Sequence, residues 1–162
     1  MHPLAILQLM ILLTLANGTP VIAKRALGDR FAYPLDGGAL FLDGRPLLGR
    51  SKTVRGIVLS ILVTSLGAPL VGLTVSVGLL VGSLAMAGDL FSSFLKRRFD
   101  LPSSSRATGL DQIPESLFPL LACRAVLPLT LGDIAVGVAI FFLGEIVLSR
   151  LLYRLRIRDR PY

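Results

Sequence analysis

From Val54 to Gly88 the chain runs through thirty-five residues with one charged side chain, Arg55, at its start, and then meets Asp89. A run so apolar and so long belongs in a membrane. As one helix it would be roughly 52 Å long, well beyond a hydrocarbon core of about 30 Å. Gly67-Ala68-Pro69 near its middle offers a turn, so the run divides into two spans. Further apolar runs cover 3–23, 112–128 and 131–153. The expected architecture is an all-α integral membrane protein with one membrane domain over residues 1–162. It has five transmembrane helices, at about 3–23, 54–67, 70–95, 112–127 and 131–153. The second and fourth are short, so either the bilayer thins around them or they do not cross it completely. The composition, 53% hydrophobic with a mean hydropathy of +0.74 over 162 residues, agrees with this.

Charge orients the spans. With five of them, segments 24–55, 96–111 and 150–162 share one side and hold seven, four and five Lys or Arg, sixteen of the seventeen in the chain. Only Arg124 lies elsewhere. A four-span reading divides the same charges nearly evenly. The positive-inside rule therefore places the N-terminus outside, the C-terminus in the cytoplasm, and loops 24–53 and 96–111 at the cytoplasmic face. The net charge of +7 then reflects topology, and no polar domain remains to present a nucleic-acid surface. Cys123 is the single cysteine and His2 the single histidine, which excludes an intrachain disulfide and leaves little room for histidine chemistry. Residues 3–16 lack the basic flank of a signal peptide and run on to Lys24-Arg25, so they read as a retained first span.

Asp89 sits where a carboxylate is costly, and an acid at the membrane edge points to a functional site when partners can be named. Ser93, Lys96 and Arg97 follow it at helical spacing on one face, and Asp111 and Glu115 add a second acidic pair four residues apart. Two carboxylates beside fixed cations suit Mg²⁺ plus phosphate, since Mg²⁺ is held by one or two carboxylates with phosphates and waters completing its shell. The plainer alternative is that Asp89 pairs with a nearby cation and only locks the helices together.

The first loop has no periodicity, but Asp43-Gly44 suggests a tight hairpin. Arg50, Lys52 and Arg55 open the next helix, whose N-terminus also favours anions; headgroup anchoring is the alternative. Gly44-x₄-Gly49-Arg50-Ser51 nearly matches a phosphate-binding P-loop, yet Arg stands where Lys is required and no strand precedes it. Asn17, beside Gly18 and Pro20, either bonds backbone freed by the proline or faces the site from the opposite wall. Glu145 in the last span reads as a helix-packing partner, with Arg124 a candidate counter-ion. Arg150, Arg154 and Arg158 form an i,i+4 stripe explained by headgroup snorkelling.

At Gly88-Asp89-x₃-Ser93-x₂-Lys96-Arg97, followed by Asp111-Gln112, the sequence resembles the CTP-transferase family of membrane cytidylyltransferases. Asn17-Gly18-Thr19-Pro20-Val21, Leu42-Asp43-Gly44-Arg45-Pro46-Leu47-Leu48-Gly49 and Lys52-Thr53-x-Arg55-Gly56 are similar to its smaller archaeal branch, the CDP-archaeol synthases. The resemblance spans most of the chain. It implies transfer of a cytidylyl group from CTP to 2,3-bis-(O-geranylgeranyl)-sn-glycerol 1-phosphate, giving the CDP-activated lipid and pyrophosphate in membrane lipid biosynthesis. It also implies Mg²⁺ held by Asp89 and Asp111, and phosphate contact from Lys96. Lys52, Thr53, Arg55, Ser93, Arg97, Arg98 and Asn17 would contact substrate. Bacterial members follow the second aspartate with a further Asp-Ser pair; here the segment reads Asp111-Gln112-Ile113-Pro114-Glu115-Ser116.

The implied partners are CTP, an isoprenoid ether lipid phosphate and the bilayer of the cell membrane, with the active site at the cytoplasmic face. A homodimer fits the analogy. The Asp-Gly-x₂-Ala-Arg pattern of CDP-alcohol phosphotransferases is absent. A different kind of function, a small ion- or proton-coupled transporter using Asp89 and Glu145, would require neither Lys52 nor Lys96.

Overall fold

In a computed structural model, which describes residues 1–102, 107 and 109–155, the described residues form five α-helices. They are α1 (Pro3–Leu27), α2 (Val54–Gly67), α3 (Val75–Arg98), α4 (Gln112–Cys123) and α5 (Leu131–Arg154). Arg158 and most of the segment from Pro102 to Gly109 lie outside the described residues. Four helical segments, including α2 together with the 3-10 turn that follows it, are long and apolar enough to cross a membrane. α4 is not among them: its twelve residues reach only about 18 Å.

The expected boundaries move in three places. α1 continues to Leu27 and α3 to Arg98, so the loops begin at 28 and 99 rather than at 24 and 96. The turn between α2 and α3 is longer than Gly67-Ala68-Pro69. Ala68–Val71 form a 3-10 turn, Gly72 takes a left-handed φ of 82°, and Thr74 caps α3, so the third helix starts at 75 rather than 70. α4 ends at Cys123, and residues 124–127 form turns rather than further helix.

Pro20 inside α1 removes the N–H that would have bonded the Ala16 carbonyl. That carbonyl accepts a hydrogen bond from Ser60 Oγ on α2, at 2.6 Å. Asn17 does not serve it; its Nδ2 donates to Leu13 O at 3.2 Å. Without a hydrophobic drive between helices in lipid, close approach of backbones does the packing. A Cβ at Gly78 would lie 2.6 Å from Thr64 O, and one at Gly82 would lie 3.1 Å from Ile61 Cα, so these glycines let α3 lie against α2. The core they help close contains Leu9, Leu12 and Leu13 of α1, Val81 and Ala85 of α3, and Leu120 of α4.

The two ends of the bundle differ. At one end the His2 N–H and ring Nδ1 each lie 3.0 Å from the Asp133 carboxylate, which also forms a capping box with Thr130 at the start of α5. The starts of α1 and α5 are thus side by side. At the other end the long α1–α2 loop folds over the last turns of α3. It contains the expected small hairpin, with an isolated antiparallel bridge between Leu40 and Pro46 and a Phe41 N–H bond to Arg45 O. Among the described residues there are only isolated bridges and no strands.

Candidate active site

Gly88 fixes the position of the site. A Cβ there would meet Pro114 O at 2.4 Å and Glu115 N at 2.7 Å, so the first turn of α4 rests directly on the α3 backbone. This contact brings Glu115, buried in that first turn, into hydrogen-bond contact with Asp89. From the α1–α2 loop, Lys52 Nζ reaches both Asp89 oxygens at 2.5 Å. Two helical turns beyond Asp89, Lys96 Nζ pairs with Asp111 Oδ1 at 2.7 Å. Arg97, also buried, interacts electrostatically with Asp111 and donates from Nη2 to Pro102 O at 2.8 Å.

Five sequence-expected residues therefore converge: Asp89, Asp111, Lys52, Lys96 and Glu115. The pairing departs from the helical spacing, which suggested Lys96 and Arg97 as the partners of Asp89. The ion-pair partner of Asp89 is Lys52, from another element, whereas Lys96 pairs with Asp111 and also attracts Asp89 electrostatically. Burial works against charge on Lys52, but attraction and a hydrogen bond from Asp89, with help from Glu115 and Asp111, hold its pKa above the usual lysine value. Among the described residues no three His, Cys, Asp or Glu side chains are grouped to cage a metal by themselves. What is present is three acids facing three cations, with every acid but one directly held by a lysine.

Other expected site residues are used elsewhere. Thr53 caps α2, its Oγ1 accepting from Gly56 N–H at 3.2 Å. Arg55 donates to Gly28 O at 3.1 Å and to Arg30 O, tying the start of the loop to α2. Arg98 binds Asp43 Oδ1 at 2.5 Å and Pro46 O at 2.7 Å, and its guanidinium lies over the rings of Phe41 and Phe94 at 4.6 and 5.0 Å. It latches the hairpin to α3. Ser93 is buried on α3, one turn past Asp89. Asn17 lines a groove between α1 and α5 that also contains Glu145. Glu145 interacts electrostatically with Glu115. It sits fourteen residues into α5, about 21 Å along the helix from its start, whereas Arg124 is exposed in the turn before α5. The expected Glu145–Arg124 pair does not form.

The P-loop-like stretch is not a phosphate cradle. Its Leu48 and Gly49 N–H groups donate to Asp36 Oδ2 at 2.9 and 3.1 Å. Slight burial would raise the Asp36 pKa, but these bonds and one from Gly38 hold it below the usual carboxylate value. Asp36 and the Arg98 latch had no sequence signal beyond turn-forming composition, because their partners lie far away in the chain.

Comparisons with known proteins bear on the family and the fold. The model of the CarS-like family, described as CDP-archaeol synthase, matches residues 4–162. A CDP-archaeol synthase of Pyrobaculum calidifontis is 33% identical over 152 residues, covering 91% of this chain and 90% of that protein. The Sulfurisphaera tokodaii protein of the same description is 33% identical over 153 residues, covering 91% of this chain and 89% of its own. A solved structure, described as that of an intramembrane enzyme for archaeal membrane lipid biosynthesis, superposes with a TM-score of 0.72 at 26% identity. It covers 86% of this chain and 91% of that one. These matches set aside the transporter reading. The chain belongs to the CarS-like CDP-archaeol synthase family and is a multi-pass, CTP-using cytidylyltransferase of archaeal membrane-lipid biosynthesis.

Proposed function

We propose that the chain transfers the cytidylyl group of CTP to 2,3-bis-(O-geranylgeranyl)-sn-glycerol 1-phosphate, releasing pyrophosphate and the CDP-activated lipid, with Mg²⁺ as its metal. The observation that carries this reading is the convergence of Lys52–Asp89 and Lys96–Asp111, from one loop and two helices, at one end of the bundle. In the sequence, the concentration of sixteen of seventeen Lys and Arg in segments 24–55, 96–111 and 150–162 supports a cytoplasmic site and five spans.

A lipid phosphate oxygen attacks the α-phosphorus of CTP, and the bond from that phosphorus to the pyrophosphate oxygen breaks. Such a transfer needs alignment and charge neutralisation far more than covalent help. The attacking phosphate is already ionised at neutral pH, so the absence of histidine from the cluster is no obstacle. Lys52 and Lys96 sit on carboxylates in the free protein and are the cations nearest to hand for phosphate oxygens. Arg97 adds positive charge beside Asp111.

The donor set fits Mg²⁺. Without substrate, Lys52 and Lys96 are each held by a carboxylate. Two phosphate-bearing substrates bring several further negative charges, and releasing the lysines to them leaves Asp89 and Asp111 as hard oxygen donors for a divalent ion. Bound there, Mg²⁺ would stabilise charge developing on the transferred and leaving phosphates. Glu115 is a third carboxyl in contact with Asp89.

The test uses purified protein in detergent with labelled CTP, Mg²⁺ and, separately, the geranylgeranyl ether phosphate and phosphatidic acid. Metal-dependent CDP-lipid formation with the ether lipid, lost in both Asp89→Asn and Asp111→Asn, is the expected result. Preference for phosphatidic acid would refute the lipid assignment. Full activity with chelator present would refute the metal.

A further inference from the structure

The groove between α1 and α5 has about 160 Å³ of cavity space and runs from Met10 to Val21 on α1. That is eleven steps of helical rise, about 16 Å, close to half of a hydrocarbon core of about 30 Å. Its walls are mainly apolar, with Met10, Val21, Phe141 and Leu148 among them, and its polar side chains include Asn17 and Glu145.

Two glycines distinguish it from an ordinary seam between helices. At Gly78 and Gly82 on α3, and at Gly88 beside α4, an added Cβ would stand 2.6, 3.1 and 2.4 Å from neighbouring backbone. Gly18 and Gly144, both lining the groove, have nothing within 4 Å of where a Cβ would stand. They do not bring helices together; they keep the groove open. One of its wall residues, Glu145, interacts electrostatically with Glu115, which contacts Asp89, so this wall lies towards the reaction site. Asn17 uses one side-chain N–H on Leu13 O, which leaves the second for an acceptor oxygen in the groove.

We propose that this groove binds one hydrocarbon chain of the lipid-phosphate substrate, with the glycerol end at Asn17 and the phosphate directed towards Asp89 and Asp111. The inference rests on the proposed transfer reaction and assigns its lipid a place. Leucine at Gly144 or Gly18 would fill the groove without touching the cluster.

The experiment compares wild type, Gly144→Leu and Gly18→Leu. Filling an apolar subsite raises KM for the lipid by roughly tenfold to a hundredfold, with KM for CTP within about twofold, the pattern of lost ground-state binding. In parallel, a lipid phosphate carrying a photoreactive diazirine in one chain is crosslinked to the wild type without CTP and mapped by mass spectrometry. Adducts on α1 residues 10–21 and α5 residues 140–149 support the groove, and their loss in Gly144→Leu strengthens the assignment. Unchanged lipid KM in both variants, or adducts confined to other helices, overturns it. The crosslinking needs no turnover, so groove labelling by a wild type that forms no CDP-lipid would sink the reaction and leave the lipid site standing.

Discussion

Replacing Gly88 by alanine is the sharpest perturbation of this site. The added Cβ would lie 2.4 Å from Pro114 O and 2.5 Å from Pro114 C, both backbone atoms that no rotamer change can move. An ordinary contact between carbon and a carbonyl oxygen is about 3.3–3.6 Å, so α3 and α4 must part locally by about 1 Å. Overpacking of this kind costs about 1–3 kcal/mol. A misplacement of about 1 Å in a positioning site costs about a hundredfold in rate. The displaced turn carries Glu115 and lies next to Asp111, so the contacts Asp89–Glu115 and Lys96–Asp111 should both loosen. The assay is Mg²⁺-dependent CDP-lipid formation, with thermal stability in detergent measured on the same preparation. Gly132→Ala serves as control, because a Cβ there meets only Thr130 Oγ1 at an ordinary 3.6 Å. Wild-type rate and stability in Gly88→Ala would refute the claim that α4 is seated on that glycine.

Arg98→Ala should release the hairpin. An exposed ion pair and cation–π contacts together contribute about 1–2 kcal/mol, so tryptic cleavage after Arg45 or Arg50 should speed up by about tenfold; an unchanged rate would show that the latch holds nothing. Asp36 has a depressed folded pKa, so its contribution to loop stability is present above about pH 3.9 and is lost as pH falls through the lower folded value. NMR shifts of the Leu48 and Gly49 amides, followed during acid titration in micelles, should show a midpoint below about 3.9; a midpoint at or above that value would contradict the hydrogen-bonding assigned to Asp36.

The helices and most of the cluster could be read from the sequence because they depend on local order. A run such as 131–153 must be helical in a bilayer, since no other conformation satisfies its backbone there, and the observed α5 spans Leu131–Arg154. Asp43-Gly44 needed only turn chemistry to form its hairpin. The acids and lysines of the site stood out because charge beside apolar runs is costly and therefore rare. Which acid meets which lysine depends on how far helices approach, and that is set by contacts between residues far apart in the chain. Pro114 on the Gly88 backbone brings α4 to α3, and the fold of a long aperiodic loop delivers Lys52 rather than Lys96 to Asp89. The same holds for Ser60, which serves the carbonyl freed by Pro20 only because α2 lies against α1. The open groove at Gly18 and Gly144 is likewise a property of two helices held apart. Composition and periodicity determined what this chain is made of and which of its residues are costly to bury. The pairings, the seat of α4 and the groove are distances between elements, and only the tertiary structure decided those.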